Sequence, residues 1–166
     1  TNAESMTKKE ATLKAKQMGV EVAKGDSVVK ILDGIYKKVC RPKLLNPTFI
    51  VDYPTHTLPL AKKKEENSNL VDAFQLVLGG VELVKAFSEL NDPLDQAERF
   101  NQQEKDKEGG DNEAQTTDKD FLEAMEHGMP PAGGVGIGIE RLTMLLTDTQ
   151  SIREVILFPT LRSRKN

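Results

Sequence analysis

The stretch FQLVLGGVELVKAF, residues 74–87, decides the fold. Two β-prone apolar runs flank Gly79-Gly80, and a pair of glycines between such runs is the signal of a two-residue hairpin. With that turn the strands are antiparallel: residue 77 pairs with residue 82, and residue 75 with residue 84. Side chains alternate along a strand, so Gln75, Val77 and Glu82 share one face.

The pattern extends outward in both directions. Upstream, TFIVDYP (48–54) is a short strand ended by Pro54, and AKKKEENSNL (61–70) is a charged, exposed loop. Further upstream lie two helices. Residues 4 to about 18 end at Gly19; a second helix is capped by Asp26-Ser27 and carries Val28, Ile31, Leu32, Ile35 and Val39 on one face, until Arg41-Pro42 stops it. This region offers no site. Downstream, Asp92-Pro93 opens a polar helix to about Glu108; its narrow stripe of Leu94, Ala97 and Phe100 implies a surface position. GGDNEAQTTD is a loop, residues 118–127 are a helix capped by Asp118 and ended by Gly128, and Pro130-Pro131 breaks the chain. A glycine-rich strand and a helix from about Glu140 to Leu146 follow. The expected class is α+β, an antiparallel sheet flanked by helices, with a helical lead-in over 1–45 and the sheet-bearing part over 46–166.

At 166 residues the chain fits one domain. With a net charge of −3 nothing announces a general nucleic-acid binder, and a local basic patch stays open. One cysteine, Cys40, permits no internal disulfide; it is expected as a partly buried thiol in a reducing, cytoplasmic setting. No apolar run approaches the roughly 20 residues of a membrane span. The opening Thr1-Asn2-Ala3-Glu4 has neither an initiator Met nor a signal pattern, as expected of a piece of a longer chain.

Two features carry chemistry. The first is acidic. A carboxylate at Glu82 among apolar neighbours needs a cation, a metal or backbone donors. Glu89 lies seven residues on, so an unbroken strand sends it to the opposite face, and a bulge must intervene before both acids serve one site. Pairing of each with a surface lysine is the competing reading. The second is GGVGIGIERLTMLL, residues 133–146. Its glycines leave one strand face bare, which suits a bulge or the close approach of a planar ring or another backbone. Arg141, where strand becomes helix, can stack on a ring or hold a phosphate oxygen. No Gly-Lys-Ser/Thr follows, which excludes a P-loop, and the glycines lie within a strand rather than a strand-to-helix turn. Nucleotide binding and tight sheet packing both remain open on pattern alone. His56 sits in a loop, His127 closes a helix, and neither has zinc-ligand spacing.

GGVGIGIERLTMLLTDTQSIREVILFP resembles the third signature of class II aminoacyl-tRNA synthetases. FSELNDPLDQAERF, GMPPAGGVGIGIERL, PTFIVDYP and PLAKK resemble the lysyl-tRNA synthetase family, from about Asn46 to Arg162. The resemblance implies an enzyme that activates lysine with ATP and Mg²⁺ to lysyl-adenylate and transfers it to tRNA(Lys), as a homodimer. It implies that Arg141 is the catalytic arginine holding ATP, that Gly136 and Gly138 floor the nucleotide, and that Glu82 binds magnesium. Glu89 would pair with the lysine ammonium, with Asn91 in the same motif. Three positions depart from the family: Ala73-Phe74-Gln75 stands for Arg-Phe-Glu, Val81 for arginine and Lys85 for asparagine. Gln75 would then be an uncharged, weaker magnesium ligand. The departures also admit a diverged paralogue that binds a nucleotide but has another acceptor or none. The first two signatures and the β-barrel anticodon domain are not in this sequence, which implies a C-terminal part of a longer enzyme with half an active site.

Overall fold

A computed structural model describes residues 6–23, 25–108 and 117–160. Four strands, β1 (Thr48–Pro54), β2 (Leu70–Leu78), β3 (Val81–Ser88) and β4 (Gly133–Ile137), form one antiparallel sheet in the order β1-β2-β3-β4. Five α-helices accompany them among the described residues: α1 (Lys8–Gln17), α2 (Val28–Ile35), α3 (Pro93–Glu108), α4 (Lys119–Glu126) and α5 (Ile139–Leu146). This is the α+β arrangement expected. The loop expected over GGDNEAQ and the end of the chain after residue 160 lie outside the described residues. No described helix is long and apolar enough to cross a membrane.

The hairpin turn forms at Gly79 and Gly80, with φ of 60° and 74°. Both lie in the left-handed region where glycine is at no disadvantage. The register departs from expectation in one respect. Val77 pairs with Glu82, but Gln75 pairs with Lys85, not Val84, because β3 accommodates an extra residue opposite the Leu76–Val77 step. A second irregularity lies in β1 between Val51 and Tyr53, where Asp52 has a φ of 61°.

The lead-in helices pack through Ala11, Ala15 and Ile31, with Met6, Val20, Val22, Val28 and Ile35 around them. Thr7 and Glu10 cap α1 reciprocally, and Ser27 caps α2 by accepting from the Lys30 amide. The helical path does not stop before Arg41-Pro42. It widens into a π-turn over Tyr36–Cys40 and tightens into a 3-10 turn over Arg41–Lys43, which takes Pro42 at its start, where no N–H is required. Val39 takes the half-buried place and Cys40 is exposed, not partly buried as expected. The Gly79 and Gly80 amides donate to the Leu45 and Leu44 carbonyls at 3.0 and 2.9 Å, tying the hairpin tip to this segment.

Helix α3 also departs from its expected surface position. Leu94 is exposed, and Gln96, Arg99 and Phe100 are buried. The helix docks largely by polar contact. Arg99 Nη1 donates to the carbonyls of Ala61 (2.7 Å), Leu58 and Pro59, and Gln96 Nε2 donates to Pro59 O at 3.2 Å. Arg99 also grips Asp95, whose other partner is Lys63. The segment 58–63, which crosses one edge of the site, is thereby fixed to α3.

Candidate active site

The face of β2 carrying Val71, Ala73, Gln75 and Val77 is buried throughout, each residue at most 7% exposed. Residues directly opposite one another share a face. Glu82 is opposite Val77, Lys85 opposite Gln75 and Phe87 opposite Ala73. The extra residue in β3 thus carries the chain from an even-numbered position at 82 to odd-numbered positions at 85 and 87 without leaving this face, which is what a bulge does to alternation. Glu89 follows in phase. Its backbone donates to Ala132 O at 3.0 Å and bridges to Ala61. Its side chain lies across Gly134: a Cβ added at Gly134 would overlap Glu89 Oε1. The bulge that both acids required is present.

Strand β4 brings its bare strip to the same face, with Gly134 opposite Phe87 and Gly136 opposite Lys85. The nearest neighbour to a Cβ at Gly136 would be Lys85 O, at an ordinary 3.7 Å. At Gly136 the strip is therefore not closed by tight packing among the described residues. Gly138 donates to Leu83 O at 2.8 Å, and the Arg141 stem crosses it, with Cδ 3.3 Å from where a Cβ would stand. Arg141 Nη1 donates to the Glu82 carbonyl at 3.0 Å, so the guanidinium sits at the end of the strip, exposed. Lys85 forms no ion pair among the described residues and lies between the two acids in sequence and on their face. An open pocket of about 340 Å³ at the edge of the sheet is walled by Lys62, Lys63, Asp72, Ser88, Glu89 and Pro131 among others; Gly136, Gly138 and Arg141 are not among its walls.

Gln75 occupies a different environment from the one expected of a magnesium ligand. Its carbonyl oxygen accepts from Tyr36 Oη at 3.0 Å and Tyr53 Oη at 3.1 Å, and its amide Nε2 donates to Glu82 Oε2. Two donors thus occupy the two lone pairs of this carbonyl oxygen. Burial pushes the pKa of both tyrosines up, which keeps them protonated and able to donate. Among the described residues no cluster of three or more His, Cys, Asp or Glu could hold a metal ion. Asn91 Nδ2 donates to Met129 O at 3.4 Å and joins the end of β3 to the turn before β4.

Tyr36 and Tyr53 were not legible as site residues. Tyr36 comes from the lead-in helices, which showed no site. Tyr53 is three residues from Ile50, the partner of Gln75, so simple alternation puts it on the other face; the irregularity at Asp52 returns it opposite Val71.

This chain is similar to proteins named lysine–tRNA ligase. It is 50% identical to that of Carboxydothermus hydrogenoformans over 155 residues, 93% of this chain and 32% of the relative. Against that of Gloeobacter violaceus it is 54% identical over 148 residues, 89% and 30% of the two. Against that of Enterococcus faecalis it is 49% identical over 159 residues, 96% and 32%. The chain thus spans about a third of the length of these curated relatives. Residues 3–162 match the family model of tRNA synthetases class II (D, K and N), and the chain belongs to that family.

Proposed function

We propose that this chain is part of a lysine–tRNA ligase, with residues 46–166 contributing to its catalytic domain and residues 1–45 leading into it. The reaction would join lysine to ATP as lysyl-adenylate, releasing pyrophosphate, and pass the lysyl group to tRNA(Lys). The observation that carries this reading is the shared face of Glu82, Glu89 and Gly136, with the two acids brought into phase by the β3 bulge and Arg141 bonded to the Glu82 carbonyl beside them. Such chemistry asks the protein chiefly to position reactants and offset charge.

On this reading Gly136 and Gly138 floor the adenine, and Arg141 holds the nucleotide from the end of the strip. Glu89, with Asn91 nearby, selects a cationic side chain. Mg²⁺ is commonly held by one or two carboxylates together with substrate phosphates, and Glu82 fits that mode. A magnesium ion there would neutralise phosphate charge. Lys85 on the same face is the feature that favours the second reading, a paralogue with another acceptor or none, because a cation near Glu89 opposes a cationic substrate.

The test is amino-acid-dependent ATP–pyrophosphate exchange by the full-length protein that contains this chain. Exchange supported by lysine and not by other amino acids is the expected result. A folded protein that binds ATP but exchanges nothing with lysine would overturn the assignment. The reading extends to a cytoplasmic homodimer, for which sedimentation of the full-length protein is the direct measurement.

A further inference from the structure

We propose that Gln75 is a positioning residue: anchored by Tyr36 and Tyr53, its amide holds the Glu82 carboxylate in place and does not itself contact metal. The inference rests on the reading of Glu82 as the magnesium-facing acid.

The geometry leaves the amide little freedom. Gln75 is 6% exposed, so each polar atom it carries must find a partner inside the protein. Its oxygen has two, Tyr36 Oη and Tyr53 Oη. Turning the amide over would set that oxygen against the Glu82 carboxylate, replacing a donor–acceptor contact by repulsion between two acceptors; the carboxylate therefore fixes which way the amide points. The three supports come from separate parts of the chain. Tyr36 projects from the π-turn of the lead-in, Tyr53 from beyond the irregularity in β1, and Gln75 from the buried face of β2. A side chain held at three points is restrained in rotamer, and it passes that restraint to one oxygen of Glu82. The lead-in helices, which carry no group expected to touch substrate, would thus act on the metal site through one hydroxyl.

The two possible roles of Gln75 predict opposite signs for Tyr36→Phe. If Gln75 positions Glu82, removing one anchor loosens the amide, and Mn²⁺ binds the ATP complex about threefold to tenfold more weakly, as for the loss of one hydrogen bond. If Gln75 is a ligand, removing the hydroxyl frees a carbonyl lone pair, and Mn²⁺ binds equally well or more tightly. Mn²⁺ affinity is measured by electron paramagnetic resonance titration of the full-length protein with ATP present, beside the variants Gln75→Met and Glu82→Ala. In the Gln75→Met background, Tyr36→Phe should add nothing, since its effect passes through the missing amide. Additive effects would overturn the proposal, as would unchanged or tighter binding in Tyr36→Phe. Should Gln75→Met fail to fold, the sign for Tyr36→Phe still decides. Glu82→Ala separates the two levels. If it leaves Mn²⁺ affinity intact, the metal-facing reading of Glu82 falls and this inference with it. If it weakens Mn²⁺ while Tyr36→Phe does not, only the positioning role of Gln75 falls.

Discussion

The face that carries the candidate site has two halves, and they are built for opposite purposes. Over β1 and β2 it is closed. Val71 and Val77 are fully buried, Tyr53, Leu58 and Phe87 pack with Ala61, Val71 and Ala73, and even the polar Gln75 is enclosed. Over β4 it is open: Gly136 is exposed and presents no side chain, and Arg141 stands at the end of the strip. The other side of β4 is open too, with Val135 and Ile137 65% and 52% exposed. The four strands pair side by side across both halves. What differs is side-chain coverage, so the closed half can serve as a scaffold that aims groups at the open one. Substitutions in the closed half should be read in stability, and those in the open half in substrate use.

The strongest test of the scaffold is Arg99→Ala. The guanidinium is 9% exposed and satisfies Asp95 together with three backbone carbonyls of segment 58–61. Removing one partner of a buried pair typically costs about 3–5 kcal/mol, much of it from the group left behind. Urea unfolding of the full-length protein should show a loss of that order. There is an acid signature as well. The Arg99 hydrogen bonds, followed by that of Lys63, hold the Asp95 pKa below its ordinary value, against the opposing effect of burial. A carboxyl whose folded pKa is depressed contributes stability that is present above its unfolded value and lost as pH falls through the folded one. Wild-type protein should therefore lose this contribution below about pH 4, and Arg99→Ala should show a flatter acid limb. An Arg99→Ala protein of unchanged stability would mean that α3 is not what fixes the scaffold.

Arg141→Ala probes the open half. The side chain is exposed and among the described residues donates one hydrogen bond, to the Glu82 carbonyl, so its removal should scarcely move the unfolding midpoint. If it offsets charge on the reacting nucleotide, kcat/KM for ATP should fall roughly 10²- to 10³-fold, the loss seen when one preorganised electrostatic donor is removed. Steady-state pyrophosphate exchange at varied ATP measures it. Unchanged ATP kinetics would break the comparison, because the open strip would then lack its clamp.

The two halves also differed in how much of them could be read from the sequence. Gly79-Gly80 announced the hairpin and with it the antiparallel sheet, because turn chemistry is local. The bare strip was equally legible, since alternating glycines need no partner to be counted. The bulges were not. Whether β3 takes an extra residue depends on what lies across from it on β2, so the sequence could state only the condition under which Glu82 and Glu89 share a face. The same cause hid Tyr53, returned to the face by the irregularity at Asp52. Apolar periodicity misread α3 because that helix buries Gln96 and Arg99 against backbone carbonyls, and such contacts leave no hydrophobic pattern. Tyr36 and Cys40 followed the π-turn, which shifts helical phase where the sequence reads as an ordinary helix.

The boundary between the halves is drawn at Gly134, and the smallest expected effect lies there. Glu89 crosses Gly134, so a methyl group at that position overlaps its carboxylate. The obstructing atom is the free end of a flexible side chain. Gly134→Ala should therefore fold, with a slight gain from replacing glycine within a strand, and the strain should be relieved by displacing Glu89. If Glu89 selects the lysine ammonium, KM for lysine should rise on the order of tenfold, as for the weakening of one charge-assisted contact, while KM for ATP holds. The effect belongs to Glu89 only if it vanishes when Glu89 is shortened. In a Glu89→Asp background the carboxylate is drawn back by one methylene, and Gly134→Ala should cost little more than Glu89→Asp alone. Full additivity of the two substitutions in lysine KM would separate the effect from Glu89, and a matching rise in ATP KM would assign Gly134 to the nucleotide floor with Gly136 and Gly138, moving the boundary one residue pair away from the hairpin.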